Sequence, residues 1–436
     1  MSLQMRPTLM AFALAAAFPA MAQSNEELLK ELQALKAKVS ELEKRIQTPS
    51  GMTPEQSAEF NRIAAKTEAM QDNLTDKGFA GMKLSGYLEP VFVWNQRQNR
   101  AGFQFLNQQA DGYFYDTSFM GSAVLDITKE TESGTVWKLT LAPNRGVGAA
   151  MDGMSIVQEA SVSVPLTDLQ TRFIAGQIPD WSGYEYQQPT LNPFTTHNLL
   201  YDFTLPIAYT GVGLDVKQGK WWLRTAVANV NTAVRQAGEK SPALALRIDY
   251  AKGEFSGWGA AALVGKAPNF GTGTNTQAFL AEADAWFTRG DVTLSGQVSY
   301  GRQKQGATLT DAAGERMDSE WWGFSGLAGY NVTPRYQLLV RADYIRNTKN
   351  GGGLFTYNDF DGRNGIGPGQ GATDSADRGA NRYALSLGMK YLLNTSTTLK
   401  AEYRLDGADR AVFEDVKSGT YKKTNSLVAT SMVVAF

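Results

Sequence analysis

From Phe79 onwards, apolar and polar residues alternate along the sequence with a period of two. One such stretch places Leu244 and Leu246 on one face of a strand and Arg247 and Asp249 on the other. Because successive side chains of a β-strand point to opposite faces, each strand of this kind has an apolar and a polar face. The pattern predicts a long all-β segment in which only one face of the sheet meets water.

The connections between the predicted strands fall into two classes that alternate along the chain. The short, turn-like class comprises residues 217–220, 252–254, 289–291, 331–334 and 393–396. The long class comprises residues 96–111, 178–206, 303–317, 347–380 and 407–423. Tight turns at one rim and extended loops at the other are typical of transmembrane β-barrels. We therefore expect residues 79–436 to form an all-β transmembrane barrel of about sixteen antiparallel strands, with eighteen as the alternative.

The sequence before the barrel predicts an export signal followed by helices. Arg6 precedes a short apolar run that ends at Ala20-Met21-Ala22, so residues 1–22 are predicted to be a signal peptide. Residues 49–78 are predicted to be a linker followed by a second helix, 54–76. The sequence does not indicate the role of this second helix.

Residues 23–48 are predicted to form a coiled-coil helix, because apolar residues recur at alternating spacings of three and four. The predicted core positions are Leu28, Leu32, Leu35, Val39, Leu42 and Ile46. Glu31 can pair with Lys36, and Lys38 with Glu43, on a neighbouring parallel helix. This pairing favours an intermolecular coil, and the alternative is one amphipathic helix on another part of the protein. The residues at the a and d positions of this heptad pattern by themselves favour a coiled coil of two helices.

Composition argues against several classes of function. The chain has no cysteine and one histidine, His197, so it offers no set of zinc ligands, and neither a metal nor a cofactor is expected. With 42 basic and 43 acidic residues, it lacks the positive excess that nucleic-acid binding requires. His197 lies in a predicted loop rather than beside a serine on a rigid wall, so we expect the protein not to be an enzyme.

The last predicted strand ends on Phe436, which resembles the C-terminal signature of outer-membrane barrels. Weaker matches are Phe173-Ile174-Ala175-Gly176-Gln177 and Tyr209-Thr210-Gly211-Val212-Gly213. In layout, the whole chain resembles proteobacterial outer-membrane porins with an N-terminal coiled coil, in particular the phosphate-selective O/P-type superfamily. Within it, the chain looks most like an uncharacterised beta-proteobacterial porin-like family.

This resemblance implies a location, an assembly and a function. The location is the outer membrane of a Gram-negative bacterium, with lipid around the barrel and the N-terminal helices in the periplasm. The assembly is a homotrimer joined through the barrel and the coiled coil. Three subunits differ from the two helices that the coiled-coil residues themselves favour. The function is passive diffusion of small hydrophilic solutes or ions through a water-filled barrel. Solute, selectivity and gating are not determined by the sequence.

The third external loop, residues 178–206, is the predicted pore constriction, since this loop folds inward in general porins. The candidate residues on it are Asp180, Trp181, Tyr184, Glu185, Tyr186, His197 and Asp202. The hypothesis pairs the carboxylates of Asp180, Glu185 and Asp202 with wall arginines such as Arg172, Arg224 and Arg247, because opposed charges across a narrow pore set ionic preference. The alternative is a loop that merely caps the barrel.

The predicted lumen-facing charges nearly cancel. The basic set is Arg172, Arg224, Arg247, Arg335, Arg341, Lys390, Lys400 and Arg404. The acidic set is Glu89, Asp249, Glu282, Asp284, Asp343 and Glu402. An anion-selective pore needs a basic excess, so general diffusion is favoured over an anion- or phosphate-selective channel. The second alternative is a structural envelope protein, in which the barrel anchors a periplasmic coiled-coil tether.

Overall fold

The computed structural model describes residues 62–63, 65, 81–106, 120–143, 156–232, 242–269, 271–352, 354–355, 366–367 and 378–436. The predicted signal peptide, 1–22, and coiled coil, 23–48, lie outside these residues. Within the predicted second helix, Arg62, Ile63 and Ala65 are helical. Residues 81–436 form one compact unit, which the following paragraphs describe.

This unit consists almost entirely of β-strands. The strands are β1 (Met82–Leu88), β2 (Val91–Asn95), β3 (Arg100–Gln104), β4 (Ala123–Glu130), β5 (Val136–Leu141), β6 (Val157–Pro165), β7 (Thr171–Pro179), β8 (Ala208–Gln218), β9 (Trp221–Val230), β10 (Ala243–Gly253), β11 (Ser256–Asn269), β12 (Thr274–Arg289), β13 (Val292–Gln303), β14 (Ser319–Thr333), β15 (Tyr336–Asn347), β16 (Arg382–Leu392), β17 (Thr397–Ala408), β18 (Phe413–Asp415), β19 (Thr420–Lys422) and β20 (Thr424–Ala435). One short helix, α1 (Leu199–Thr204), lies between β7 and β8.

Eighteen of these strands form a single antiparallel sheet that closes on itself. The last strand, β20, pairs with β17 on one side and with β1 and β2 on the other. β1 and β2 are two parts of one wall strand, and β3 and β4 are two parts of the next, because β2 pairs with β3 while β1 pairs with β4. The eighteen strands therefore make sixteen wall strands, 18 − 2, which confirms the predicted closed barrel.

The two rims differ in their connections. Tight turns join β8 to β9, β10 to β11, β12 to β13, β14 to β15 and β16 to β17, and we call this end the turn rim. The opposite end, the loop rim, carries the long connections, including loop L3 (residues 180–207). One connection at the loop rim is short, since only residues 270–273 separate β11 from β12. The strict alternation of short and long connections therefore fails at this point.

The first connection at the loop rim is also shorter than the sequence suggests. A long loop was predicted over 96–111, but the chain turns at 96–99 and returns as β3. Asn99 takes a left-handed conformation with φ of 48°, which asparagine tolerates in turns. The additional residues are inserted within the second wall strand, between β3 and β4. The prediction was wrong because no glycine or proline marks this turn.

The two faces of the wall follow the predicted alternation. Exposed apolar side chains cover the outer face, and near the turn rim they include a cluster of Trp221, Tyr250 and Trp258 with ring centroids 4.7 to 6.1 Å apart. The lumen face carries most of the buried charges, among them Arg247, Arg341 and Arg404. No helix among the described residues is both long and apolar enough to cross a membrane.

Apolar side chains also fill part of the interior. One cluster joins Leu199, Leu200 and Phe203 of α1 to small wall residues such as Ala226 and Ala245. A second cluster joins residues of β2, β17 and β20 to Val412 and Phe413 next to the loop rim. Alanine on the wall leaves room for the inserted loop, so these parts of the lumen are packed like a protein core.

The seam of the barrel, where β1 pairs with the last strand, β20, makes a first test possible. Phe436 exchanges backbone hydrogen bonds of 3.0 and 3.2 Å with Gly86, and a Cβ on Gly86 would lie 2.8 Å from the Phe436 ring and would overlap Val124 O. We expect Gly86→Ala to lower the free energy of unfolding by about 1–3 kcal/mol, because the seam strands must move apart. Denaturant unfolding in detergent measures this change.

Gly326→Ala is the matched control for this substitution. Gly326 lies in β14, and a Cβ there would have no atom within 4 Å. Equal unfolding free energies for the two variants would contradict the tight seam.

Candidate functional site

Loop L3 lies inside the barrel and contacts the wall opposite its own strands. The Gly183 amide donates to Glu282 on β12, and the Tyr184 hydroxyl lies 2.6 Å from Ser325 Oγ on β14. Lys400 Nζ on β17 donates to the carbonyl oxygen of Pro189 at 2.6 Å. L3 starts at β7 and returns at β8, so these contacts carry it across the lumen.

Further contacts between L3 and this wall form a buried cluster that we call the latch. Its residues are Glu185, Thr196, Arg341, Glu402 and Arg404. Arg341 Nη1 lies 2.9 Å from Glu185 Oε1 and 2.8 Å from Thr196 O. Glu402 accepts from the amide and the hydroxyl of Thr196 at 2.8 and 2.7 Å. Arg404 Nη1 donates to Thr196 Oγ1 at 3.1 Å.

The side chains of Arg341, Glu402 and Arg404 are fully buried, and that of Glu185 is 2% exposed. Two carboxyl groups and two guanidinium groups are thus removed from water together. Such a cluster is stable only when each charge keeps its partners, and removing one partner leaves an uncompensated buried charge. The latch therefore holds L3 in one arrangement against β15 and β17.

Helix α1 is held by the same part of the wall. Its N-cap, Asn198, accepts from the Tyr201 amide at 2.8 Å and donates its own amide to Glu185 Oε2 at 2.7 Å. Leu200 packs where β14 has Gly323, since a Cβ on that glycine would lie 2.6 Å from Leu200 Cδ2. Phe203 lies under the Arg382 guanidinium at 4.9 Å. The short helix thus wedges L3 into a space that a larger wall residue would fill.

The first residues of L3 stay close to the strands from which the loop departs. Tyr209 donates its hydroxyl hydrogen to Asp180 at 2.5 Å, and the Tyr209 and Trp181 ring centroids are 5.2 Å apart. Arg224 lies 5.5 Å from the Trp181 ring and 2.9 Å from Asp249. Burial, partly offset by the Tyr209 hydrogen bond, raises the pKa of the Asp180 carboxyl above its ordinary value.

The structure gives Glu185, Arg224 and Arg247 other ion-pair partners than the predicted ones. Glu185 meets Arg341 rather than one of the three arginines proposed for it. Arg224 pairs with Asp249, and Arg247 pairs with Asp249 and Asp284 at 2.7 Å each, so both are satisfied on the wall itself. A pattern of alternating residues gives the face of a side chain but not its partner across the lumen.

Three other predicted residues lie away from these pairs. Arg172 faces inward near the turn rim and donates to the carbonyl oxygen of Gly134 at 2.7 Å. Asp202 is buried within α1. Arg335 is exposed in the turn between β14 and β15, so its predicted position on the lumen wall is wrong. The prediction was wrong because β15 starts one residue later, at Tyr336.

The remaining candidates lie on the inner face or on L3. Glu89, Glu282, Asp343 and Lys400 are buried inside the barrel. Lys390 lines the cavity described below, as do the L3 residues Asp180, Trp181, Tyr184, Glu185 and Tyr186. Sequence reasoning missed Arg382 and Thr196. Arg382 has the signal that could have found it, since it shares a face with Ala384 and Ser386 on β16.

An open cavity of about 1050 Å³ lies between L3 and the turn rim. Its wall includes Lys138 and Glu159, which pair at 2.6 Å on β5 and β6, and the tryptophans Trp222 and Trp286. Its charged lining consists of six basic residues (Lys138, Lys217, Lys220, Arg224, Arg247, Lys390) and six acidic residues (Glu159, Asp180, Glu185, Asp215, Asp249, Asp284). The cavity is therefore polar and balanced in charge. Among the described residues, no cluster of His, Cys, Asp or Glu has the arrangement of a metal site.

Similar barrels are known among solved structures. The anion-selective porin from Comamonas acidovorans is 11% identical with a TM-score of 0.53, and the match covers 81% of this chain and 99% of that chain. The outer membrane channel DcaP of Acinetobacter baumannii is 10% identical with a TM-score of 0.53, covering 81% and 97%. Salmonella typhi OmpF in complex with daunomycin is 13% identical with a TM-score of 0.53, also covering 81% and 97%. At these identities the similarity shows a shared fold, the porin-type barrel.

The family of this chain is known as well. Residues 48–436 match the family described as a protein of unknown function, DUF3138, and the chain belongs to this family. No curated protein sequence matches it.

The latch provides a test of how L3 is held. We expect Arg341→Met to lower the free energy of unfolding by about 3–5 kcal/mol, because Glu185 and Glu402 would stay buried without their cation. Arg335→Met is the matched control, since this arginine is exposed in a turn at the start of the same strand; we expect it to change stability by less than about 0.5 kcal/mol. Equal effects in denaturant unfolding would contradict the latch.

His197, on L3, gives a test by pH. Burial, followed by the nearby Arg341, Lys400 and Arg404, lowers the His197 pKa from 6.5 to about 3, although the hydrogen bond with Tyr186 O raises it. Between these values the unfolded chain binds a proton that the folded protein does not. We therefore expect this histidine to make stability fall with falling pH, by about 1.4 kcal/mol per unit. Unfolding of the wild type and of His197→Gln from pH 7 to 4 measures the difference, and parallel curves would contradict it.

Proposed function

We propose that this protein is an outer-membrane porin through which small hydrophilic solutes and ions diffuse passively. The observation that carries the proposal is the course of L3, which crosses the barrel interior and is bonded to the far wall by the latch. A loop held in this way narrows the lumen rather than covering one rim. The cavity of about 1050 Å³ then forms the wide part of the pathway on the turn-rim side of the constriction.

The path past L3 runs along the wall formed by β5 and β6. This wall presents polar groups to the interior, including the Lys138–Glu159 pair and Ser161, which line the cavity. On the opposite wall, the latch fills the space beside Arg341 on β15 and beside Glu402 and Arg404 on β17. A solute therefore passes between β5 and the start of L3.

Weak ion selectivity follows from the lining. Six basic and six acidic residues surround the cavity, and a phosphate- or anion-selective channel needs a basic excess. The Comamonas acidovorans porin is anion-selective by its description, and the charge balance here argues for a less selective pore. For the same reason, the resemblance to the phosphate-selective O/P-type superfamily is a proposal about descent and layout rather than about the solute.

The proposed location follows from the two faces of the wall. Aliphatic and aromatic residues cover the outer face, as lipid contact requires, and aromatic residues such as Trp221 and Trp258 gather near one rim. The turn rim faces the periplasm and the loop rim the exterior of a Gram-negative cell. The signal peptide and the coiled coil belong to this proposal: export through 1–22, then a periplasmic helix at 23–48 that joins a homotrimer.

One observation favours a second candidate, a structural envelope protein with the barrel as an anchor. Apolar clusters around α1 and around Phe413 fill parts of the lumen near the loop rim. A barrel that serves only as an anchor needs no open path. Planar-bilayer recordings separate the two, because only a porin conducts.

Shortening L3 tests the constriction. We expect deletion of Tyr184–Thr195 to increase single-channel conductance at least about two-fold, because the loop then no longer crosses the lumen. Recordings from refolded protein in a planar bilayer measure this. A reversal potential near zero under a KCl gradient is expected for the wild type.

The matched control removes residues 311–315 from the exposed tip of the loop between β13 and β14. This tip is a small hairpin in which the Asp311 amide donates to Glu315 O at 2.8 Å. Its loss should leave conductance unchanged. A wild-type barrel that never conducts, or equal conductance in all three proteins, would contradict the proposed constriction.

A further inference from the structure

The outer face of the wall carries a group of basic residues where β11 to β15 approach the loop rim. Arg302 on β13 pairs in register with Phe279 on β12. Arg346 on β15 pairs with Trp322 on β14, and both of these side chains are exposed on the outer face. We call this group the basic band, and its residues are Lys266, Arg302, Lys304, Arg346 and Lys349.

The two arginines of the basic band keep their guanidinium groups available. The Arg302 guanidinium lies 5.8 Å from the centroid of the Phe279 ring. Among the described residues, neither Arg302 nor Arg346 forms an ion pair or a hydrogen bond through its side chain. Both residues are exposed, so a ligand outside the barrel can reach them.

The carboxylates of the same region leave an excess of positive charge. Glu320 on β14 is level with Arg302, and Lys349, just after β15, bonds to it at 2.7 Å. Asp318 accepts the backbone amide hydrogen of Gln305 at 3.0 Å. Five basic residues thus stand against two acidic ones. Residues 311–316 at the loop tip add two acidic residues and one basic residue, so the excess remains positive and attracts anions.

Exposed aromatic residues lie next to the basic band, towards the middle of the wall. Tyr300, Trp322 and Phe324 are among the exposed rings of the outer face, and Tyr300 pairs in register with Trp322. Transmembrane barrels carry such residues at the membrane interface, where an outward-facing lysine or arginine is tolerated far better than at the midplane. The basic band therefore lies at the level of the lipid headgroups.

The opposite ends of the same strands are different. Near the turn rim, Phe287, Leu294 and Tyr330 are exposed on the outer face. Within the described strands β11 to β15, Arg289 is the one basic residue that faces outward at that end. The positive charge is thus concentrated at the loop rim, which the proposed location assigns to the outer leaflet.

We propose that the basic band binds the phosphate groups of a glycolipid in the outer leaflet of the membrane. Phosphate is the favoured anion, because the planar guanidinium fork matches its oxygens in pairs. A lipid is favoured over a free phosphate, because its acyl chains can cover the exposed rings of Trp322 and Phe324 beside the band. The proposal rests on the proposed location of the loop rim at the cell exterior, and it goes beyond the passage of solutes.

The spacing of the two arginines fits a headgroup with two phosphates. Arg302 and Arg346 are two strand steps apart, and their partners on β14, Glu320 and Trp322, are two residues apart. At about 4.8 Å per strand step and 3.3 Å per residue, the Cα atoms of the arginines are about 12 Å apart. Two linked sugar rings with a phosphate at each end, as in lipid A, can reach both long side chains.

Native mass spectrometry of the full chain in a non-ionic detergent tests the basic band without requiring conduction. The probes are lipid A with two phosphates, its dephosphorylated form, and phosphatidylglycerol, which has one phosphate and no sugar. We expect lipid A to bind most tightly and the dephosphorylated form to bind at least about five-fold more weakly. Equal binding of these two forms would overturn the proposal.

Substitutions at the two rims supply matched controls. Arg302→Gln and Arg346→Gln should each weaken lipid A binding about five-fold, because each removes one cation from the headgroup level. Arg289→Gln removes an outward-facing arginine at the other rim and should leave binding unchanged. Arg302→Lys keeps the charge without the fork and should retain part of the affinity. Wild-type affinity in both band variants, or an equal loss in Arg289→Gln, would contradict the site.

Inorganic phosphate identifies the source of the bound group. An excess of it should displace little lipid A, because the acyl chains also contribute to binding. Complete displacement would indicate a site for free anions and would overturn the lipid proposal.

Planar-bilayer recordings separate this proposal from the proposed function. If lipid A binds at the basic band and the barrel does not conduct, the porin function fails and the band stands. If the barrel conducts and lipid A binding does not depend on the band, the band fails and the porin function stands.

Discussion

Closure of the hydrogen-bonded sheet is the constraint on which the rest of this structure depends. β20 pairs with β17 on one side and with β1 and β2 on the other, so the last wall strand pairs with the first and the sheet closes into a ring. In a lipid environment an unpaired edge would expose backbone groups that nothing else can satisfy. Closure also separates an outer face from an inner one, which lets apolar residues cover one side while charges collect on the other.

The inner charges then organise what lies inside. Arg341, Arg404 and Glu402 on the wall bind Glu185 and Thr196 of L3, and the arginine and glutamate side chains of this cluster are buried. Burying charges is costly unless each finds a partner, so this cluster specifies one position of the loop rather than simply adding stability. The consequence is an asymmetric lumen, in which the latch fills the space beside Arg341 and Glu402 while Lys138 and Glu159 on β5 and β6 line the open cavity. The proposed pathway follows the polar side.

The sequence predicted the barrel well because a period of two determines the face of every strand residue. The strand number and the sidedness of Arg341 and Asp343 follow from that pattern and from the order of the connections, whereas the inward course of L3 was expected only from the resemblance to porins. The interaction partners of these side chains could not be predicted from the pattern. Glu185 and Arg341 are 156 residues apart, and their meeting depends on the course of L3 through three dimensions. Arg335 was misplaced because strand ends are set by turn geometry, which alternation does not define.

The most direct measurement uses the absence of cysteine from the sequence. Lys138→Cys places a single thiol on the proposed pathway, and Ser386→Cys places one beside the latch, where Ser386 Oγ lies 2.8 Å from Glu402 and is 1% exposed as a residue. During bilayer recording, a water-soluble charged thiol reagent should modify Lys138→Cys and reduce the current, and should leave Ser386→Cys unmodified. Rapid modification of Ser386→Cys together with an inert Lys138→Cys would contradict a constriction held against β15 to β17.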